Sequence, residues 1–303
     1  MPSYVVTAED RAWFDRCRRA WDLSALARRA LAPAGPPTPR EQLELAFRSA
    51  LAVHYFPGMW HWDRSIVAPL VRAAFTRDGG TASDLDLLAA FEAWAPTVDD
   101  FTPVRVEPDV DVQVPDPGRP GDDLVAAPGL AVRYRDRIPL VVLDRQDRCW
   151  LGWHRIVDDF ADAEELALDE RGALACWVWE QTELAATVEG VLYTEVRIDP
   201  IACRRTAVPR TAVTKAGAAT RLGRTALAML EPDPRVDPTP AWSHCSRCAF
   251  RAPCLALNRG DDAGPLLAGY RQRPPDVLEE GRLGGASWGM GRGAAPPHFG
   301  RRG

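Results

Sequence analysis

The chain has 303 residues, 46% of them hydrophobic, and a formal net charge of −5. That is ample material for one large or two small globular domains, and the negative balance argues against a surface that embraces nucleic acid on every side. The N-terminus MPSYVVTAEDRAWF lacks a basic start followed by an apolar run, and no apolar stretch approaches a membrane span, so the expectation is a cytoplasmic protein with no membrane contact.

Taken in chain order, Thr7-Ala8-Glu9-Asp10 fits a capping box that opens a helix carrying Trp13, Phe14 and Cys17. A breaker-rich loop, LAPAGPPTPR, leads to a second box, Thr38-Pro39-Arg40-Glu41, with proline at the first helical position. That helix should run to about Tyr55 and stop at Phe56-Pro57-Gly58. Further helices are expected over Ser65 to Phe75 and, capped by Ser83, from Asp84 to about Trp94. After Pro96 the period becomes alternating: VRVEPDVDVQV, LAVRYRD, IPLVVLD and CWLGWHRIV read as strands between Pro, Gly and Asp turns. A helix from about Asp169 to Ala186, a strand VEGVLYTEVRI and a helix from Thr214 to Leu230 follow. From residue 273 the composition becomes rich in Gly, Arg and Pro, which predicts a disordered tail beyond a single domain spanning 1–272.

Charge is distributed unevenly. Between Arg197 and Arg224 seven basic residues face one acid, which makes Arg204, Arg205, Arg210, Lys215 and Arg221 candidate phosphate contacts. Between Asp158 and Glu170 there are seven acids and no base, which reads as solvated surface.

The seven cysteines form no disulfide-like framework and fit a reducing compartment. Three stand close together in HCSRCAFRAPC, spaced Cys245-x2-Cys248-x5-Cys254, as thiolates that grip a metal do. A fourth ligand is needed. His244 adjoins Cys245 in sequence and points elsewhere, while Cys149, Cys176 and Cys203 sit among apolar neighbours and read as core. Cys17, flanked by arginines in RAWFDRCRRAWDL, is the candidate. Zinc and an iron–sulfur cluster both suit four thiolates.

A cysteine in an N-terminal helix joined by C-x2-C-x5-C near the other end resembles the iron–sulfur branch of the RecB-like PD-(D/E)XK nucleases, to which AddB subunits and CRISPR-associated RecB-like exonucleases belong. The resemblance spans roughly residues 8 to 272 and implies an α/β fold, the restriction-endonuclease-like αβββαβ core with N-terminal helices. It further implies a 4Fe-4S cluster on Cys17, Cys245, Cys248 and Cys254 that staples the two ends together, with zinc as the alternative. The implied partners are DNA or a protein of a nucleic-acid-processing complex.

Catalysis in that family needs two carboxylates and a lysine around one or two divalent metals, in the pattern G-x-x-D-h-h-h followed by h-h-h-D/E-x-K, with a histidine on an earlier helix. Alignment on this pattern puts Pro139 at the first acid, Trp153 at the second and Arg155 at the lysine. Proline and tryptophan cannot ligate a metal, and arginine keeps the charge without donating a proton. Lys215, the chain's only lysine, lies outside the strands of the pattern. His54 and Asp136 are the candidate remnants, and Asp144, Asp158 and Asp159 are candidates for relocated ligands. The expectation is therefore a nuclease-like module without nuclease chemistry; the alternatives are an active DNA nuclease using Mg or Mn through relocated residues, and a zinc-binding or redox module.

Overall fold

A computed structural model describes residues 3–183 and 186–273. It is a mixed α/β structure with several sheets. The N-terminal part contains β1 (Ser3–Thr7), α1 (Ala8–Arg16), α2 (Arg18–Ser24), β2 (Leu31–Pro33), α3 (Pro39–His54), α4 (Arg64–Arg77) and α5 (Leu85–Trp94). The strands β3 (Phe101–Val106), β4 (Asp109–Gln113), β5 (Val125–Ala127), β6 (Leu130–Arg137), β7 (Leu140–Asp144) and β8 (Cys149–Val157) come next. They are followed by α6 (Ala163–Ala167), α7 (Glu170–Thr182), β9 (Val188–Arg197), β10 (Ala202–Pro209) and α8 (Ala212–Met229). The last elements are α9 (Trp242–Cys245), α10 (Arg251–Arg259), α11 (Gly264–Leu267) and β11 (Tyr270–Gln272).

The central sheet has the order β10-β9-β8-β7-β3. β3, β7 and β8 form an antiparallel meander, α7 crosses over, and β9 returns parallel to β8. Period-two alternation splits the strand residues between two cores. Leu140, Val142, Trp150, Ile156 and Val196 face α3, α4 and α5, while Val141, Leu151, Val191 and Tyr193 face α7, α8 and a smaller sheet. Each fully buried side chain of this size contributes about 1.5–3 kcal/mol, so both faces are needed to hold the sheet.

The run VRVEPDVDVQV does not stay in one sheet. It breaks at Glu107 (φ +48°) and Pro108, and β4 leaves the central sheet to pair with β6, which also pairs with β1 and β5. A non-glycine residue in the left-handed region allows the sharp exit, which alternation alone did not reveal. The capping boxes at Thr7 and Thr38 form as expected, each with its reciprocal hydrogen bonds. Ahead of α5 the capping box belongs to a 3-10 turn, Ala82–Asp84, opened by Thr81 and closed by Asp84, with the expected cap Ser83 inside the turn. The basic stretch after Arg197 contains a strand, β10, that sequence reading missed. Residues 274–303 of the expected tail lie outside the described residues; Arg273, its first residue, bonds the carbonyls of Ala30 and Ser24 and the carboxylate of Glu9.

Candidate functional site: an arginine-lined cleft and a cysteine-bearing end

A cleft of about 710 Å³ opens between α3, the β3–β4 exit and the adjoining ends of β6, β7 and β8. Pro139, Trp153 and Arg155, the three positions aligned with catalytic residues, all line it, together with Asp136 and His154. Trp153 is covered by the Arg171 guanidinium, 4.9 Å from its ring centroid. Arg171 also approaches Asp136 at 3.4 Å, and Asp136 accepts from the Tyr134 hydroxyl at 3.1 Å and the Arg137 amide at 2.8 Å. Its oxygens are therefore committed to protein donors.

The β3–β4 exit delivers two further carboxylates to the cleft, Glu107 and Asp109. Glu107 lies 3.4 Å from Arg48 and Asp109 2.8 Å from Arg137. Burial pushes the Glu107 carboxyl up, and Arg48 and Arg137 counteract that only partly. Neither residue was legible as a site residue, because only the break in the strand carries them into the cleft.

Beneath the cleft, His154 stacks on Tyr55 with centroids 5.3 Å apart. Burial and the nearby Arg205 depress its pKa to about 3, so it is a neutral imidazole at physiological pH. Tyr55 donates to Asp99 at 3.2 Å and accepts from Arg205 at 3.2 Å, while Arg205 donates to Asp99 at 2.6 Å. His54 does not line the cleft. Its ring packs on Tyr55 and Phe91, and its Nε2 faces Asp99 Oδ2 at 3.9 Å, too far for a hydrogen bond. Burial would raise Asp99, but His54 and Arg205 outweigh it and hold the carboxylate below the usual range.

The other acids considered as relocated ligands serve elsewhere. Asp144 closes the β7–β8 turn, accepting from the Gln146 and Arg148 amides and from the Trp150 indole. Asp158 pairs with Arg40 at 3.3 Å, and Asp159 approaches Arg197 at 3.8 Å, both well exposed.

The five cations proposed as phosphate contacts are engaged within the fold. Arg204 bonds the fully buried Glu195 at 2.6 Å, and Arg205 joins the Asp99 network. Arg210 is buried and donates to the carbonyls of Leu166 and Ala167 and to Tyr193 Oη. Lys215 is buried against Glu180 and the Val188 carbonyl, and Arg221 pairs with Glu170 at 2.7 Å. The sequence run is basic because several buried acceptors need it, and only Arg204 and Arg221 keep substantial exposure.

At the opposite end, Cys17 is the buried hinge residue between α1 and α2, and α9 and α10 bring up Cys245, Cys248 and Cys254. Burial pushes the Cys248 thiol up, and Cys17, Cys245 and Cys254 add to the effect; Cys248 packs against the buried cluster of Cys17, Ala20, Leu23 and Phe250. The Ala241 amide donates to Cys245 Sγ at 3.4 Å, and Arg19 lies 3.7 Å from Cys254 Sγ. Phe250 stacks on Tyr270 and meets Trp13 edge-on, and β11 pairs with β2. Residues 13–33 and 250–272 are thus held together by protein contacts around the cysteines. Among the described residues, no group of three or more His, Cys, Asp or Glu is placed to hold a metal ion.

No protein-family model matches the chain, and no curated protein does. Among solved structures, the crystal structure of SSO0001 is similar over 83% of this chain and 86% of its own, at 12% identity and a TM-score of 0.38.

Proposed function

We propose that this chain is a PD-(D/E)XK nuclease-like module of the RecB-like iron–sulfur branch that binds DNA or a partner protein without cutting DNA. The observation that carries the reading is the order of the central sheet: an antiparallel meander β3-β7-β8, a crossover helix α7, and a parallel return in β9, with the three aligned catalytic positions falling in one cleft. Loss of cleavage is supported by the pairing of Asp136, Glu107 and Asp109 with Arg171, Arg48 and Arg137, which commits the carboxylates a divalent metal would need.

Cys17, Cys245, Cys248 and Cys254 would hold the cluster, whose part is to tie the chain ends. A tetrahedral zinc site would draw four sulfurs to within about 3.8 Å of one another, given Zn–S bonds of about 2.3 Å. The wide spacing of the four cysteines, with one near residue 17 and three near residue 250, is the feature shared with the cluster-bearing branch.

The test is incubation of the pure chain with single- and double-stranded DNA in magnesium or manganese, alongside binding measured at several salt concentrations. Salt-dependent binding without cleavage is expected. Cleavage lost on Glu107→Gln or Asp136→Asn would overturn the non-catalytic reading, and no binding at low salt would remove DNA as the partner.

A further inference from the structure

The helix α4 is apolar on two opposite sides. Val67, Val71, Ala74 and Phe75 are buried, most of them in the core that α3 and α5 share with the central sheet. On the outer side Ile66 and Leu70 are 55% and 45% exposed, and Pro69 and Ala73 are exposed beside them. Trp62, 51% exposed, stands just ahead of the N-cap Asp63. Steps of three and four residues connect Ile66, Pro69, Leu70 and Ala73, so these side chains form one stripe along the helix. Neighbouring α3, by comparison, shows Glu41, Glu44 and Arg48 to solvent beside Leu45. A helix apolar on both sides has the pattern of one packed between two layers, and among the described residues only the inner layer is present.

Size and charge both fit a second α4 as the missing layer. The stripe tapers from Trp62 and Ile66 at the N-terminal end to Ala73, and Arg77 continues its line four residues later. An antiparallel copy, related by a twofold axis between Pro69 and Leu70, sets Ile66 opposite Ala73 and Trp62 opposite Arg77. Bulk then meets a small residue, and the Trp62 indole meets a guanidinium that it can stack on. The helix has Arg64, Arg72 and Arg77 and no acid, and Asp63 caps its N-terminal end. Antiparallel pairing brings Asp63 towards the Arg77 end of the copy and opposes the two helix dipoles, whereas parallel pairing would set Arg77 against Arg77. Because α4 has 14 residues and is therefore about 21 Å long, the contact falls at the small end of specific interfaces.

We infer that α4 is a self-association face, through which two copies of this chain pair as an antiparallel, twofold-symmetric and weak dimer. The inference rests on α4 alone and is independent of the nuclease-like reading.

Analytical ultracentrifugation of the full chain tests it. From about 1 to about 200 µM the chain should pass reversibly from monomer to dimer, with Kd in the micromolar range. Ile66→Ala removes the bulky residue and Ala73→Ile sets isoleucine against isoleucine, so each should weaken the dimer at least about tenfold. The double variant Ile66→Ala/Ala73→Ile again sets large against small and should recover most of that loss. Both residues are exposed in the single chain, so the far-UV spectra should be unchanged.

A monomer at every concentration would overturn the inference and leave the stripe to a different protein. A dimer that ignores Ile66→Ala would overturn it as well. So would a dimer strengthened by Ala73→Ile, the result expected of a non-specific apolar surface, since that substitution adds apolar area. Failure of the double variant to recover would overturn the antiparallel arrangement.

Discussion

Arg205 and Asp99 form a 2.6 Å ion pair between residues tied to opposite edges of the central sheet, Arg205 on β10 and Asp99 two residues before β3. Both side chains are nearly removed from solvent, at 10% and 2% exposure. The sheet must curl around the end of α3 for this to happen, and Tyr55 and Thr194 complete the hydrogen bonds. Arg205→Met should therefore destabilise the protein by about 3–5 kcal/mol, since it leaves a buried carboxylate without its partner. Urea unfolding of Arg205→Met, Asp99→Leu and the double variant checks this, and the double variant should lose less than the two single losses together.

His154 makes stability depend on pH in a defined direction. Its folded pKa of about 3 lies below the ordinary value of 6.5, so between those values the unfolded chain binds the proton and the folded chain does not. The stabilisation is complete above pH 6.5 and is lost as the pH falls towards 3, at no more than about 1.4 kcal/mol per pH unit. Denaturation midpoints of wild type and His154→Gln, measured from about pH 7 to about pH 4, should converge on acidification. Parallel curves would show that His154 is not the titrating group.

Gly172, in the first turns of α7, lies directly beneath the Tyr193 hydroxyl. That hydroxyl is fixed by donating to Asp169 at 2.7 Å and accepting from Arg210 at 3.0 Å, so it cannot yield to a methyl group. Gly172→Ala should cost about 1–3 kcal/mol through overpacking, despite the better helix propensity of alanine. Pairing it with Tyr193→Phe, which removes the clashing oxygen, should recover part of the loss in thermal unfolding.

Arg210 distinguishes a structural from a phosphate-binding role for the basic run. Arg210→Ala removes the donors to two carbonyls at the end of α6 and should lower stability by about 1–3 kcal/mol. Because its guanidinium is buried and spent on internal acceptors, any DNA binding by the folded fraction, measured by fluorescence anisotropy, should change little.

If the four cysteines carry a cluster, Cys17→Ala should lose iron and sulfide as completely as Cys248→Ala in anaerobically purified protein. Cys176→Ala should retain both, because burial raises that thiol to about 12 and keeps it protonated within the core. Zinc without iron in the wild type would replace the cluster with a zinc centre.

Much of the local structure is written in short-range chemistry. The capping boxes at Thr7 and Thr38, the helix stop at Pro57 and the alternation of β7 and β8 depend on neighbours a few residues apart, and each forms where its residues put it. Pro139, Trp153 and Arg155, on or next to the neighbouring strands β7 and β8, line one cleft. The basic run misled for a physical reason. Composition counts charges, whereas Glu195, Glu180, Asp99 and the carbonyls of α6 decide which guanidinium and ammonium groups remain available.

The sequence alone pointed to a mixed α/β protein with capped helices before an alternating strand region and with one cysteine near residue 17 and three near residue 250. Only the tertiary structure decided which charges are spent. Glu107 and Asp109 reach the cleft because the chain leaves one sheet for another at a left-handed residue, and Arg48 and Arg137, distant in sequence, pair with them there. Burial and ion pairing depend on the whole three-dimensional arrangement, and residues far apart in the chain set them.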